Sequence, residues 1–460
     1  MAMLAHEPLV SWRRFGPLFG ASLLLALGLL LGWGGAIAAV NTPEPILLFS
    51  LHVEAGQFSL TAIESRVGFL PDSGSPVDTN DLYSLLLLDA RGNALTTQQF
   101  SLGKTVWGAP WAEGDAEAPH PVVMPAVLET VVAAPDLPGA DGIEIYDLNG
   151  ILLLRETGLH DRIQHPAEAP ATTWEDISTP CCGDNCLDLL FMGDDYTTTA
   201  SLDTFRSDVA YMANYFRQVE PYSARPNVIN VRAIPSTIDL ECNYNCFGTP
   251  RLICCNGNII LPLASQAPHD KIIVLVNNNE YGGSGSVNFA VAYHRFPQYG
   301  PQVAIHEFSH SFALLGDEYS FGPNNGGNPL RANCDDVAGC PRWNGMPDTS
   351  CIPGCTYNEW FRATNDCLML RIRSEPASGV FCPVCRALIG GYLAPFSDAW
   401  SDTDCDGATD VLDITRVANA WNSFTQFGSY DRNYDVDNEG TGDGDIDIID
   451  VLLVSGHLTL

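Results

Sequence analysis

The feature that most constrains this chain is a pair of histidines four residues apart, His306 and His310, with Glu307 directly after the first. The surrounding segment 303–315 has the apolar spacing of a helix. Positions four apart on a helix differ by about 40° in direction and about 6 Å in rise, so both imidazoles can bind one metal ion. Glu307 projects beside them, where a carboxylate can act on a water rather than on the metal. The segment therefore predicts a helix that carries a zinc site.

A tetrahedral catalytic zinc needs a third protein ligand, and the residues after His310 offer two carboxylates. Asp317 lies on nearly the same helical face as His306, but about 10 Å beyond His310 on a straight helix. It can reach the metal only if the helix ends and the chain turns back, and Gly316 is a residue that can end a helix. We expect Asp317 to be the third ligand, with Glu318 as the alternative.

The charge balance excludes several classes of function. The chain of 460 residues has 22 Lys and Arg against 55 Asp and Glu, a net charge of −33. Phosphates would be repelled, which argues against a nucleic-acid binder and against a protein of anionic membrane surfaces. The hydrophobic content of 46% and the length predict several folded domains.

The N-terminus has the pattern of an export signal. Two arginines, Arg13 and Arg14, precede an uncharged apolar stretch over 15–31, and the small residues Ala38 and Ala39 follow. We predict a signal peptide over 1–39 and a secreted protein with no membrane segment after cleavage. The alternative is an uncleaved anchor, because residues 15–40 are long enough to span a bilayer and would attach the chain to the cell surface.

Cysteine usage supports an exported protein. Fourteen cysteines lie between Cys181 and Cys385, an even number that allows seven disulfides, and Cys405 stands apart in the tail. In an exported chain disulfides are the favoured use of these thiols. The alternatives are a redox pair at Cys382 and Cys385, or a structural zinc held by Cys351, Cys355, Cys382 and Cys385.

Residues 40–165 predict a β-sandwich accessory domain. Short β-type runs recur between turn signals, at 46–53, 58–67, 82–88 and 122–132. The clearest hairpin joins Ile143–Tyr146 to Ile151–Leu154 through a turn that contains Asn149 and Gly150. A polar stretch over 166–180 predicts a linker.

Residues 181–395 predict an α/β catalytic domain with an irregular, cysteine-rich C-terminal half. Leu187–Met192 is an apolar strand, and Ile272–Val276 is almost wholly apolar, which is typical of a central strand. Between them, one helical face is formed by Leu202, Phe205, Val209, Met212 and Phe216.

The motif HEFSHSFALLGDEY at 306–319 makes a resemblance specific. Together with Asn277–Gly283 upstream, and with Cys367–Met369 and Phe381–Cys385 downstream, it resembles the IgA-peptidase family of zinc metallopeptidases. Over roughly 185–390 the resemblance implies a zincin-like fold and a protein or peptide substrate.

That family is similar to the metzincins, whose methionine turn supports the zinc histidines, and this implies the supporting role for Met369. The resemblance also implies that the chain from Lys271 to Tyr281 forms the upper rim of the substrate cleft. Ala313 stands where metzincins usually have glycine, and no third histidine follows.

Residues 396–460 are acidic and contain an internal repeat with calcium-loop spacing. Oxygen ligands fall at loop positions 1, 3, 5, 7, 9 and 12, with Gly407 at position 6 for the sharp turn. The first loop comprises Asp402, Asp404, Asp406, Ala408, Asp410 and Asp413. The second loop, with four extra residues, comprises Asp435, Asp437, Asp443, Asp445, Asp447 and Asp450.

Each calcium loop runs into an apolar segment that predicts a helix, over 414–421 and 451–458. We expect the two helices to pack through Leu412, Ile414, Val417, Ile449, Val451 and Val454. Two loop–helix units in tandem resemble a type I dockerin, which implies a small all-α module and a cohesin-type scaffold as partner. The alternative is a calcium-stabilised stalk.

The sequence thus predicts a secreted zinc metalloendopeptidase with Glu307 as general base and a calcium-dependent docking module. The cofactors would be Zn²⁺ and Ca²⁺. Two other functions stay open: a catalytically inactive binding or scaffold protein, and an accessory component of a dockerin–cohesin complex that degrades polysaccharides.

Overall fold

A computed structural model of the chain describes residues 43–71, 78, 80–110, 122–123, 127–165, 173–181, 186–294, 298–373, 380–396, 401–403, 408–421, 423–424, 434, 436 and 445–458. The predicted signal peptide over 1–39 lies outside the described residues. No helix among those described combines the length and the apolar character that crossing a membrane requires.

Two four-stranded sheets form the N-terminal part of the fold. Their strands pair in the orders β10-β2-β1-β7 and β4-β3-β8-β9, and β5 and β6 belong to a third sheet described below. The ten strands are β1 (Glu44–Glu54), β2 (Gln57–Gly68), β3 (Leu82–Asp89), β4 (Ala94–Ser101), β5 (Thr105–Gly108), β6 (Val122–Val123), β7 (Val127–Pro135), β8 (Ala140–Asp147), β9 (Leu152–Thr157) and β10 (Ile163–Gln164).

Both four-stranded sheets bury side chains in one hydrophobic cluster. Leu47 and Phe49 of one sheet, and Leu85 and Ile143 of the other, are fully buried in it. The arrangement is compatible with the predicted sandwich. The predicted hairpin is confirmed: β8 and β9 pair antiparallel.

The eight-stranded sheet forms the larger core. Its order is β11-β13-β12-β16-β18-β17-β5-β6, in which β13, β12, β16 and β18 run parallel to their neighbours in that group. The strands that follow β10 along the chain are β11 (Glu175–Ser178), β12 (Leu187–Asp194), β13 (Ile229–Ile234), β14 (Asn243–Tyr244), β15 (Ile253–Cys254), β16 (Lys271–Val276), β17 (Gly283–Gly285) and β18 (Phe289–Tyr293). β14 and β15 form a separate two-stranded ribbon.

Strand β16 is an inner strand whose residues are all buried, as its apolar sequence predicts. The expectation that the chain from Lys271 forms the rim of a cleft is therefore wrong for Lys271–Val276. The strand is paired on both sides, by β12 and β18, and does not lie at an edge of the sheet.

Two segments cross the predicted domain boundaries. Glu175–Ser178, inside the predicted linker, forms edge strand β11 and pairs antiparallel with β13. Strand β5, inside the predicted accessory domain, pairs antiparallel with β17, with Trp107 opposite Gly285. The outer strand of a sheet has unpaired backbone N–H and C=O groups. β11 pairs with those of β13, and β5 pairs with those of β17, on opposite sides of the sheet.

Four of the described helices contribute buried side chains to the core of the eight-stranded sheet. They are α1 (Thr199–Phe216), α2 (Gly257–Ala264), α3 (Gly300–Ala313) and α4 (Pro383–Leu393). α1 begins at Thr198, whose side chain accepts a hydrogen bond from the backbone of Ser201. It buries the predicted Phe205 and Met212. Every residue of α3 is buried, with Phe308 and Phe312 in the main cluster.

Disulfides staple the loops between these elements. Five are present among the described residues: Cys181–Cys186, Cys242–Cys255, Cys246–Cys254, Cys334–Cys355 and Cys340–Cys351. The expected seven is wrong, because Cys367, Cys382 and Cys385 are free and buried. The four-cysteine zinc alternative is also wrong, since two of its members are disulfide-bonded. Cys182 and Cys405 lie outside the described residues.

The two bridges that close on Cys351 and Cys355 hold a short hairpin of strands β19 (Ile352–Cys355) and β20 (Tyr357–Arg362). The tail adds helices α5 (Val411–Asn419) and α6 (Ile448–Gly456), with strands β21 (Ser423–Phe424) and β22 (Asp445–Ile446).

Both tail helices begin three residues earlier than predicted. The carboxylates of Asp410 and Asp447 accept 2.6 Å hydrogen bonds from the backbone nitrogens two residues later, which caps each helix.

The tail core is formed by Val417, Val436, Ile446 and Val454, with Ile414 and Val451 against it. The expectation for Leu412 and Ile449 is wrong: they are 54% and 49% exposed. Each lies two positions, about 200° around the helix, from Ile414 or Val451.

Candidate metal centre

The candidate centre is built on the last turns of α3. His306, Glu307 and His310 are all buried, and the two Nε2 atoms lie 3.1 Å apart. The spacing of four residues places both imidazoles on one face, as the sequence predicts.

The helix ends abruptly after Ala313, and this returns Asp317 to the histidines. Leu314 adopts the left-handed conformation with φ 53° and ψ 34°. The expected breaker was Gly316, which does not have a positive φ. Instead its N–H donates to Asn333 Oδ1 at 2.8 Å and its carbonyl accepts from Asn333 Nδ2 at 2.8 Å.

After this turn Asp317 Oδ1 lies 3.1 Å from His306 Nε2 and 3.4 Å from His310 Nε2. Zinc–nitrogen bonds of about 2.0–2.1 Å in a tetrahedron place neighbouring ligand atoms about 3.4 Å apart. The three observed separations, including the 3.1 Å between the imidazoles, fit one face of such a tetrahedron.

The histidine hydrogen bonds leave both Nε2 lone pairs directed at this point. His306 Nδ1 lies 2.9 Å from the carbonyl of Leu368, and His310 Nδ1 lies 2.7 Å from that of Leu315. A carbonyl can only accept, so both Nδ1 atoms carry the proton and both Nε2 atoms are acceptors. The two Nε2 atoms and the Asp317 carboxylate then face one another as acceptors with no donor among them. They repel one another unless a cation lies between them.

The Glu307 carboxylate borders the same point without joining the triangle. Its Oε2 lies 3.9 Å from His310 Nε2. Among the described residues neither of its oxygens has a hydrogen-bond partner. Burial raises the pKa of Glu307 well above its ordinary value, and the charge of Asp317 raises it further. A buried carboxylate of this kind readily accepts a proton.

Asp317 has the opposite tendency. Burial alone would raise its pKa, but the neighbouring His310 and His306 lower it below its ordinary value as soon as either ring is protonated at Nε2. It is therefore the ionised member of the group.

Strand β5 covers one side of the centre. The ring of Trp107 stacks on that of His310, with centroids 5.2 Å apart and planes at 9°. The hydroxyl of Tyr319 donates a 2.8 Å hydrogen bond to the carbonyl of Gly108. A cleft of about 320 Å³ opens beside these residues, lined by Lys104, Trp107, His310, Leu314 and Arg331 among others.

Met369 and Glu318 occupy different positions from the ligands. Met369 is fully buried in the turn 368–370, next to the Leu368 carbonyl that holds His306. Glu318 points away from the histidines, and its Oε1 lies 3.0 Å from Cys385 Sγ. The structure thus brings Asp317, and not Glu318, to the two histidines.

In the tail, two aspartates at loop position 12 have matching environments. Asp413 accepts hydrogen bonds from the backbone of Thr403 at 2.6 Å and of Asp410 at 2.7 Å. Asp450 accepts from the backbone of Val436 and of Asp447, both at 2.7 Å.

Only some of the other predicted calcium ligands lie among the described residues. Asp402 is buried, and Ala408, Asp410, Asp445 and Asp447 are half-buried. The others, Asp404, Asp406, Asp435, Asp437 and Asp443, lie outside the described residues.

Sequence reasoning missed Trp107 and the cysteine partners of Glu318. Trp107 lies far from the motif in the chain, and only strand pairing brings it to His310. The Cys382–Cys385 spacing was visible, but nothing in the sequence connects it to Glu318.

The comparisons with known proteins agree with this geometry. The family model described as IgA Peptidase M64 matches residues 236–328, which include His306, Glu307, His310 and Asp317. No curated protein matches the chain. The family match indicates a peptidase of the metallopeptidase type and supports the resemblance of this chain to the IgA-peptidase family.

Proposed function

We propose that this chain is a secreted, zinc-dependent metalloendopeptidase. The observation that carries the proposal is the convergence of His306 Nε2, His310 Nε2 and Asp317 Oδ1 within 3.1–3.4 Å of one another in a buried site. The family match over the same helix adds independent support.

The three converging residues would hold the zinc ion, leaving one position of the tetrahedron open. When bound, the ion supplies Lewis-acid activation of a water and of the scissile carbonyl. Glu307 accepts the proton of the attacking water and then passes it to the leaving amine nitrogen. Its dry surroundings, which raise its pKa, favour both the uptake and the transient storage of that proton.

Two backbone carbonyls orient the histidine side chains for this chemistry. Leu368 and Leu315 fix the ring orientation and the tautomer of the two histidines. Met369, fully buried next to the Leu368 carbonyl, would support this arrangement. Substrate would approach through the cleft beside Trp107 and Leu314.

Export of the chain is part of the proposal. The five disulfides among the described residues are typical of oxidising compartments. With the signal-like N-terminus, they favour an extracellular protein.

We also propose that the tail binds calcium and docks to a cohesin-type scaffold. The matched environments of Asp413 and Asp450 support two equivalent loops. For docking, Val411 and Leu412 of α5 are exposed, and so are the corresponding Ile448 and Ile449 of α6. Apolar pairs at equivalent positions of both helices are suited to a protein partner.

The experiment is hydrolysis of casein by the purified full chain, with and without a zinc chelator, followed by restoration with zinc. We expect activity that the chelator abolishes and zinc restores. A chain that binds zinc stoichiometrically but hydrolyses no protein substrate would contradict the proposal and favour a binding protein or an accessory component of a scaffold complex.

A further inference from the structure

A second group of metal-binding side chains lies behind the histidine site. Glu318, Cys367, Cys382 and Cys385 are all buried, and their donor atoms lie within 4.8 Å of one another. The three cysteines are free. Cys367 Sγ and Cys385 Sγ are 3.7 Å apart, which is a contact and not a bond.

Two of three donor–donor distances match the edges of a tetrahedral zinc shell, and the third is shorter. Zinc–sulfur bonds of about 2.3 Å place two sulfurs about 3.8 Å apart, and a zinc–oxygen bond of about 2.0 Å places oxygen about 3.5 Å from sulfur. The observed sulfur–sulfur contact is 3.7 Å. Glu318 Oε1 lies 3.5 Å from Cys382 Sγ and 3.0 Å from Cys385 Sγ.

The backbone is arranged to stabilise thiolates. The N–H of Cys382 donates to Cys367 Sγ at 3.3 Å, and that of Cys385 donates to Cys382 Sγ at 3.4 Å. Cys382 is also the N-cap of α4, where the helix dipole favours negative charge. These donors hold the sulfurs in place before any ion binds.

Two simpler uses of these residues fit poorly. Three thiols cannot all be consumed by one disulfide, so one would remain beside a buried carboxylate. Glu318 forms no ion pair with any described residue, and its only amide donor is Asn333 Nδ2 at 3.4 Å. A buried carboxylate without a cation costs much free energy.

We propose that Glu318, Cys367, Cys382 and Cys385 bind a structural zinc ion, separate from the ion of the histidine site. Four protein ligands close the coordination shell, as in structural and not in catalytic zinc sites. The ion would fix Glu318 next to Asp317, and Cys367 next to the Leu368 carbonyl that orients His306. The cysteine site would therefore position two parts of the histidine site from behind.

The experiment counts zinc and identifies its ligands in the full chain. We expect two zinc ions per wild-type chain and one in the double variant His306→Ala/His310→Ala. In that double variant, X-ray absorption at the zinc edge should show a shell dominated by sulfur at about 2.3 Å. A nitrogen- and oxygen-only shell, or a wild-type content of one ion bound without sulfur, would overturn the proposal.

Adjacent carboxylates supply a matched pair of variants. Asp317→Asn should release the ion bound without sulfur and keep the sulfur-bound one, whereas Glu318→Gln should release the sulfur-bound ion at lower chelator concentration than in the wild type. Equal retention of sulfur-bound zinc in Glu318→Gln and the wild type would remove Glu318 from the ligand set.

Cysteine labelling of the wild-type chain tests the proposal even if the variants do not fold. Alkylation followed by peptide mapping should find Cys367, Cys382 and Cys385 protected in the native protein and all three labelled after strong chelation. A disulfide between any two of them would overturn the proposal. If the wild-type chain holds sulfur-bound zinc but hydrolyses no protein substrate, only the proposed enzyme function is contradicted.

Discussion

The backbone N–H of Glu318 donates a 2.9 Å hydrogen bond to the carbonyl of Met369. This bond ties the segment that returns from α3 to the turn 368–370. The preceding carbonyl, of Leu368, accepts from His306 Nδ1 at 2.9 Å. His306 and the segment bearing Asp317 are therefore held by two consecutive peptide groups.

Replacing Glu307 with glutamine should separate proton transfer from metal binding. The variant Glu307→Gln keeps the shape of the side chain but cannot accept a proton. We expect hydrolysis to fall by roughly 10²–10⁴-fold, while zinc content stays at the wild-type value. The exposed Glu44→Gln, at the start of β1, serves as the control, with unchanged activity. An empty histidine site in Glu307→Gln would instead make Glu307 a ligand.

Gly285 permits the close approach of β17 to α3. A Cβ there would lie 2.6 Å from the carbonyl oxygen of Glu307 and 2.8 Å from His310 Cβ. Gly285→Ala should therefore destabilise the fold by about 1–3 kcal/mol through overpacking and lower the activity. Denaturant unfolding measures the free energy.

The matched control is Gly391→Ala in α4, where a Cβ meets nothing within 4 Å. Because alanine is the better helix former, this change should be neutral or stabilise by about 0.5–1 kcal/mol. Equal effects of the two substitutions would contradict the close contact at β17.

Asp194 should make stability depend on pH. Burial, together with the charges of Asp195 and Asp239, raises its pKa to about 6 against the hydrogen bond from the Leu240 N–H. The folded chain thus binds this proton more tightly than the unfolded chain, so the free energy of unfolding falls as pH rises from about 4 to 6.

The side chain of the variant Asp194→Asn cannot ionise, so its free energy of unfolding should not fall over this pH range. Its gain in stability over the wild type should be larger at pH 8 than at pH 4.5, by on the order of 2 kcal/mol. Thermal unfolding at both pH values tests this, with the exposed Asp336→Asn as control. A gain independent of pH would show that Asp194 does not titrate in this range.

The tail should depend on calcium through Asp413 and Asp450. Each carboxylate joins its loop to the start of its helix, so Asp413→Ala or Asp450→Ala should weaken calcium binding and expose the tail to proteases. Limited proteolysis of the full chain, with calcium, magnesium or chelator, measures the effect. We expect protection by calcium and poor protection by magnesium.

The exposed Asp336→Ala is the control for the tail, with wild-type protection. Cleavage of the wild-type tail at the same rate with calcium and with chelator would count against both loops and leave an acidic, calcium-independent segment.

Local patterns predicted the elements that carry the centre. Residue spacing was enough for helix α3, and continuous apolar character was enough for inner strand β16. Both are determined by burial over a short stretch of chain. The arrival of Asp317 at the histidines followed from the chemistry of zinc, which needs a third ligand.

Long-range and strained features were beyond the sequence. Leu314 is left-handed although it is not glycine, and in this conformation the N–H of Leu315 donates a 3.3 Å hydrogen bond to the carbonyl of Ser309. The pairing of β5 with β17 joins segments far apart in the chain. The exposure of Leu412 depended on where α5 begins, which is the least predictable property of a helix.

The turn 314–318 limits how the chain length can vary among homologous proteins. Asp317 faces the imidazoles and Glu318 faces the sulfurs. One residue inserted after Leu314 would move Asp317 to the sulfur side and leave the imidazoles without a carboxylate, and one deleted residue would move Glu318 to the imidazoles and leave the sulfurs without one. The stretch 323–327 is exposed, so its length can change without moving either carboxylate. We expect alignments of homologues to place gaps there and to keep the interval from His310 to Glu318 constant.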